Sequence, residues 1–119
     1  MCIRDSSSDH HSAKMAKRIR YSLFALAYES ARFYERTNRF DQLIYCHEIL
    51  VLLRPEVPFW HYRLAVAYAK KGDLNRTLAN LKVARELGFD GVNQIEKEEA
   101  FKKFKGTRRF NKYISSFDD

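Results

Sequence analysis

Apolar residues recur along most of this chain at steps of three and four, the spacing of one face of a helix. Between Ala16 and Glu35 they fall at Ile19, Leu23, Phe24, Ala27, Tyr28, Ala31 and Tyr34. Thr37, Asn38 and Arg39 break the pattern. A second run follows at Phe40, Leu43, Ile44, His47, Leu50 and Val51, with Asp41 in its first turn as cap or dipole partner. Pro55 and Pro58 end it, because a helix interior tolerates neither. A third run, Phe59 to Lys71, puts Trp60, Leu64, Ala65 and Tyr68 on one face, and Gly72-Asp73 reads as a helix stop followed by a helix start. Leu74, Leu78, Leu81, Ala84 and Leu87 form a fourth run capped by Gly88. Asn93 with Glu96 fits a capping box for a fifth helix to about Lys105. Gly106-Thr107 is another stop and start before a short final helix carrying Phe110, Tyr113, Ile114 and Phe117. No stretch alternates with period two over a useful length, so the pattern predicts an all-α chain without a sheet.

The runs also repeat. Displaced by 34 residues, Ala31 falls on Ala65, Tyr34 on Tyr68, Phe40 on Leu74, Ile44 on Leu78 and Leu50 on Ala84, while Asn38 falls on Gly72. A helix pair has an apolar face that it cannot bury alone. Small residues at Ala31 and Ala65 let helices approach closely, the tyrosine one turn later fills the remaining space, and the next pair covers what is left.

A 34-residue period of paired helices resembles the tetratricopeptide repeat family. The second unit, about 58–91, carries Leu64-Ala65-x-x-Tyr68, the Gly72-Asp73 turn, and Leu81 with Ala84 as the large and small positions of its second helix. The first unit, about 24–57, keeps Ala31-x-x-Tyr34, Leu50 and Pro55. Departures from the family pattern are Trp60, one residue before the usual tryptophan position held by His61, and Phe89 at the second proline. Thr77 and Leu43 stand where a small alanine is usual, and His47 where an aromatic is usual.

The resemblance implies an antiparallel helix-hairpin array, an α-solenoid fragment, with two hairpins over residues 15–91 and a pair of C-terminal capping helices over 92–119. It implies a non-enzymatic protein-interaction scaffold that binds a peptide or partner domain in a groove lined by the first helix of each hairpin. The groove-facing positions would be Ala25, Tyr28, Arg32 and Glu35, then Phe59, Tyr62, Val66 and Lys70. Of these, Tyr28, Arg32, Glu35, Tyr62, Val66 and Lys70 are the expected partner contacts. The Lys and Asn pattern by which some members clamp carboxylates is absent: Tyr28 and Tyr62 hold the Lys place, Arg32 and Val66 the Asn place.

Composition narrows the function further. Only 4 Gly and 2 Pro agree with long helices and tight turns, and a formal charge of +7 raises the prior for acidic partners. Lys97, Lys102, Lys103, Lys105, Arg108, Arg109 and Lys112 cluster near the C-terminus among aromatics, the pattern of a basic RNA-binding helical module. The three-to-four spacing of those aromatics predicts instead a buried stripe beneath a wet basic face. A further alternative is a non-catalytic helical tail of a larger, enzymatic protein, because repeat arrays generally need about three units.

No phosphate loop, nucleophile elbow or His-Glu-x-x-His element is present, so neither catalysis nor a cofactor is expected. Glu98 and Glu99 read as solvated partners of Lys102 and Lys103 at i,i+4. His10-His11 and Cys46-His47 are adjacent pairs, whose side chains diverge by about 100° on a helix, so no metal site is expected. Cys46 reads as a small core residue and Cys2 as its unrelated distant companion. The apolar run Leu23 to Tyr28 is far short of the roughly 20 residues of a membrane span, and a cytoplasmic location follows. Residues 1–14 are polar and patternless, and MCIRDS resembles a translated adapter scar. This predicts a disordered, non-native leader, with the natural chain starting at Met15 or cut from something longer.

Overall fold

A computed structural model describes residues 6–116, with side chains from His10 onward. Among these residues the fold is helical throughout and no strand forms. Helix α1 spans Ser6–Arg36, α2 Phe40–Leu53, α3 Pro58–Lys71, α4 Leu74–Glu86, α5 Val92–Lys97 and α6 Arg108–Ser115, with a 3₁₀ segment at Glu99–Phe104 between the last two. Each of the first four helices packs on the next, the 3₁₀ segment packs on α3, and α6 packs on α4.

The turns carry the 34-residue period most plainly. Past α1, Asn38 adopts φ 57°, and past α3, Gly72 adopts φ 86°. The amide of Arg39 reaches the carbonyl of Tyr34 at 2.9 Å, and that of Asp73 reaches Tyr68 at 3.0 Å. Inside each pair sits a second bond, Asn38 to Glu35 and Gly72 to Ala69. These are two Schellman closures, in which a left-handed residue lets the chain satisfy the last carbonyls of its helix. Asn and Gly are the residues that accept this conformation at least cost. Asp73 then opens α4, its side chain accepting from the Arg76 amide at 3.0 Å. Asp73→Ala should lower stability by about 1 kcal/mol, read as a lower urea midpoint at unchanged slope; an unmoved midpoint would show that the cap contributes nothing.

Two apolar clusters meet on α3. Ala67 joins Ala31, Leu43 and Cys46, with Tyr34, Phe40 and Ile44 against them. On another side, Tyr62, Val66, Ala69, Leu81, Ile95 and Phe101 belong to the larger cluster. Both tyrosines of the repeat are turned inward: Tyr34 is half-buried and Tyr68 buried, its hydroxyl donating to Glu48. Burial, aided by the Glu48 carboxylate, pushes the Tyr68 phenol up to about 12. Cys46 is a buried free thiol whose pKa burial raises.

Several boundaries differ from those the periodicity predicts. Helix α1 starts at Ser6 rather than about Ala16, so residues 6–14 of the expected disordered leader are helical. Residues 1–5, including Cys2, and the expected helical residue Phe117 lie outside the described residues. Asn93 caps nothing: Gly91 precedes α5, no side-chain cap bond forms, and the fully buried Ile95 sets the register. The fifth helix does not run to Lys105. It breaks at Glu98, and the chain continues as 3₁₀. With three residues per turn, this winding stacks Phe101 and Phe104 on one side, against the core. It also replaces the expected i,i+4 pairs by one i,i+3 pair, Lys102 with Glu99 at 2.8 Å. The expected start at Thr107 forms, its side chain accepting from the Phe110 amide.

Candidate functional site

The first turns of α3 stand beside the C-terminal half of α1, and α2 packs on both. Tyr28, Ala31, Arg32 and Glu35 project from α1 at helical steps of three, one and three; Phe59, Trp60 and Arg63 face them from α3, and His47 of α2 lies at the base. Together they line an open cleft of about 270 Å³.

One wall is aromatic. The Trp60 ring meets Phe24, Tyr28 and Phe59 edge to face, with centroids 5.3, 5.8 and 5.1 Å apart. Edge-to-face contact suits the ring quadrupoles and fixes the wall without closing it: Tyr28 is 38% and Phe59 45% exposed. The opposite end is ionic. Arg63 donates to both Glu35 oxygens at 3.0 and 3.2 Å, and Lys70 approaches the same carboxylate at 3.3 Å. Burial alone raises the Glu35 carboxyl, but the two cations together more than reverse this and hold it below its ordinary value. Arg32 is exposed and makes no hydrogen bond or ion pair among the described residues. Counting Glu35 against Arg32, Arg63 and Lys70, the cleft is net cationic.

His47 is buried, and its Nδ1 meets no hydrogen-bonding partner among the described residues. Burial, with Arg63 and Lys70 nearby and Glu35 opposing, lowers its pKa to about 4, so the ring is neutral at pH 7. His61 is buried as well, but its Nε2 lies 2.8 Å from the Pro55 carbonyl. Among the described residues no three His, Cys, Asp or Glu side chains converge as metal ligands, and no helix is long and apolar enough to cross a membrane.

The six expected partner contacts therefore separate. Tyr28, Arg32 and Glu35 line the cleft, and Lys70 adjoins it through Glu35. Tyr62 and Val66 do not line a groove. They are 4% and 1% exposed, buried beneath the C-terminal segment. Tyr62 stacks on Phe89 at 4.7 Å and meets Phe101 edge-on at 6.1 Å, and burial raises its phenol to about 12. An apolar groove position costs least when covered, and the Phe-rich tail supplies the cover. Of the other two groove positions, Phe59 lines the cleft and Ala25 is exposed without lining it. Arg63, Trp60 and His47 were absent from the expected contacts. Arg63 had a signal in the sequence: it is the lone charge between Trp60 and Ala69, one turn past Phe59.

In the basic C-terminal cluster, Phe101, Phe104 and Phe110 are buried, so these rings offer no stacking surface. Some of the charges are engaged locally, Arg109 with Asn75 and Lys103 with the Lys70 carbonyl.

No family model, curated protein or solved structure matches this chain.

Proposed function

We propose that the chain is a tetratricopeptide-type interaction module, a short array of antiparallel helix hairpins that docks a peptide segment or partner domain in the α1–α3 cleft. The observation that carries this reading is the cleft itself, an exposed Arg32 with no ion-pair partner among the described residues beside half-exposed Tyr28 and Phe59, held by an aromatic wall and a Glu35–Arg63–Lys70 cluster. Aromatic rings and arginine are the residue types that dominate protein contacts, because they bring large area and directional hydrogen bonds at small entropic cost. The net positive charge favours partners that present a carboxylate next to an apolar side chain.

The hairpin array draws support from the turns. Of the four residues with positive φ among the described residues, Asn38, Gly72 and Gly106 are spaced by 34, and Gly88 ends α4 between the last two. Arg39, Asp73 and Thr107 follow the three spaced residues, and the carbonyl of each accepts the amide four residues on, at 3.0, 3.0 and 3.1 Å. We read Gly106-Thr107 as the trace of a third turn in the same period, although α6 packs on α4 rather than on the 3₁₀ segment before it. The site offers no nucleophile, metal ligand set or enclosed pocket, and we read the module as a non-catalytic cytoplasmic scaffold.

Panning a displayed random-peptide library on the full chain tests this. Peptides selected on the wild type should lose affinity by about tenfold or more on Arg32→Glu and on Tyr28→Ala, both exposed positions whose variants are checked for unchanged helical circular dichroism, while Lys82→Glu on α4 leaves binding unchanged. Absence of any enriched peptide, or equal binding by all three variants, would remove the proposal.

A further inference from the structure

Helix α1 carries a second apolar face that nothing in the structure covers. Met15, Ile19, Leu23, Leu26 and Phe33 are all roughly half exposed or more, Leu26 reaching 64%. They follow one another at helical spacing over 18 residues, a stripe about 27 Å long. This stripe flanks the seam residues Ala27 and Ala31, which are buried, with Leu23 one turn before Ala27 at its edge.

The repeat indicates what fits there. Displaced by 34, Leu26, Ser30 and Phe33 correspond to Trp60, Leu64 and Ala67 of α3. Ala67 is in the cluster that seats α3 on Leu43 and Cys46 of α2. The stripe thus occupies the position by which α3 receives its preceding helix, and α1 has no such helix before it among the described residues. The shape called for is a helix. Its source is indicated by symmetry within α1. Met15 and Phe33 lie equally far from position 24, as do Ser22 and Leu26, and Arg18 and Glu29 lie about equally far from it. Arg18 and Glu29 are eleven residues apart, within about 20° around the axis, and so share one flank of the stripe. Both are exposed, and neither has an ion-pair partner among the described residues.

We propose that two copies of this chain associate through the exposed stripe of α1, antiparallel, about a twofold axis that crosses the helix at the level of position 24. Met15 of one copy then packs on Phe33 of the other, Leu26 on Ser22, and Arg18 meets Glu29, each contact occurring twice as an isologous interface requires. The N-terminal half of each α1, whose residues 10–15 are exposed on every side, lies in the vacant seat on the other copy's α1. An isolated helical overhang is marginal in water and gains from such cover. An anionic lipid surface fits less well, because it would press Glu29 against like charge.

Sedimentation equilibrium on the full chain should give a dimer at concentrations on the order of 10–100 µM. Leu26→Glu should weaken it by about a hundredfold, from two copies of one lost apolar anchor and two buried charges. Arg18→Glu and Glu29→Arg should each weaken it by about tenfold, and the double variant, with the charges exchanged and the net charge unchanged, should restore it. All three positions are exposed, and unchanged helical circular dichroism confirms that each of the four variants is folded. A monomer throughout that range, a dimer indifferent to Leu26→Glu, or single charge reversals not rescued by the exchange would overturn the proposal. So would a monomer that floats with phosphatidylserine vesicles and is released by Leu26→Glu.

Discussion

Phe101→Ala should lower the stability of the whole chain by about 3–5 kcal/mol, a large part of the roughly 5–15 kcal/mol available to a domain of this size. Phe101 is fully buried, with Tyr62 at 6.1 Å and Phe110 at 5.8 Å between ring centroids. It projects from the 3₁₀ segment, and so its loss empties the joint at which the C-terminal segment closes over α3. Truncation to alanine removes the ring's transfer free energy and leaves a cavity in a cluster that Ile95, Val66 and Leu81 share, all on different elements. Relaxation there would have to move several helices at once. Urea unfolding followed by circular dichroism should show the midpoint falling steeply, while Tyr45→Ala, at a position 68% exposed, leaves it within about 0.5 kcal/mol. A loss below about 1 kcal/mol for Phe101→Ala would mean that the C-terminal segment is an appendage rather than part of the core.

That dependence explains which parts of the molecule could be read from the residues. Helices α1 to α4 were legible because each obeys a single period and ends on turn chemistry with one reading: Asn38 and Gly72 accept positive φ, Asp73 caps, and Pro58 stands in the first turn of α3, where no amide donor is needed. The turn at Gly106-Thr107 was legible as a stop and start, but its place in the 34-residue period was hidden. Gly106 and Thr107 keep the period, but the core register slips: the buried residue comes four after Asp73, at Thr77, and three after Thr107, at Phe110. Comparing apolar landmarks across the repeat therefore finds no match beyond Gly91. The 3₁₀ winding was equally unreadable, since Phe101 and Phe104 suit a helix of either pitch until the surface they must cover is known.

The site divides along the same line. Tyr28, Arg32 and Glu35 lie on one helical face, and helical geometry alone groups them. Whether Tyr62 and Val66 face solvent depended on a tail whose docking has no local signature. Arg63 could be paired with Glu35 only by knowing the crossing of α1 and α3, since the two residues are 28 apart in sequence.

His47→Phe should make the chain markedly more resistant to mild acid. In the fold the imidazole pKa is lowered to about 4 from an ordinary value of 6.5, first by burial, then by Arg63 and Lys70 against the opposing Glu35. The unfolded chain therefore binds the proton more readily than the folded one throughout that interval. A group depressed in this way contributes its full stability above about pH 6.5 and loses it as the pH falls toward 4. The difference of about 2.5 units corresponds to a loss of about 3 kcal/mol between pH 7 and pH 4, most of it above pH 4.5. Glu35 acts in the same direction but lower down. Its carboxyl is held below 4.5 by Arg63 and Lys70, so its contribution disappears only on further acidification. The two windows separate the residues. Urea midpoints measured from pH 7 to pH 4.5 should fall for the wild type and stay nearly level for His47→Phe, after which both decline together as Glu35 protonates. Phenylalanine also removes the unpartnered Nδ1, a buried polar atom that stabilises nothing, so the variant should start no less stable at pH 7. Parallel decline of the two proteins between pH 6.5 and 4.5 would show that the His47 ring is hydrated or hydrogen-bonded in solution, and would remove the neutral base from the floor of the cleft.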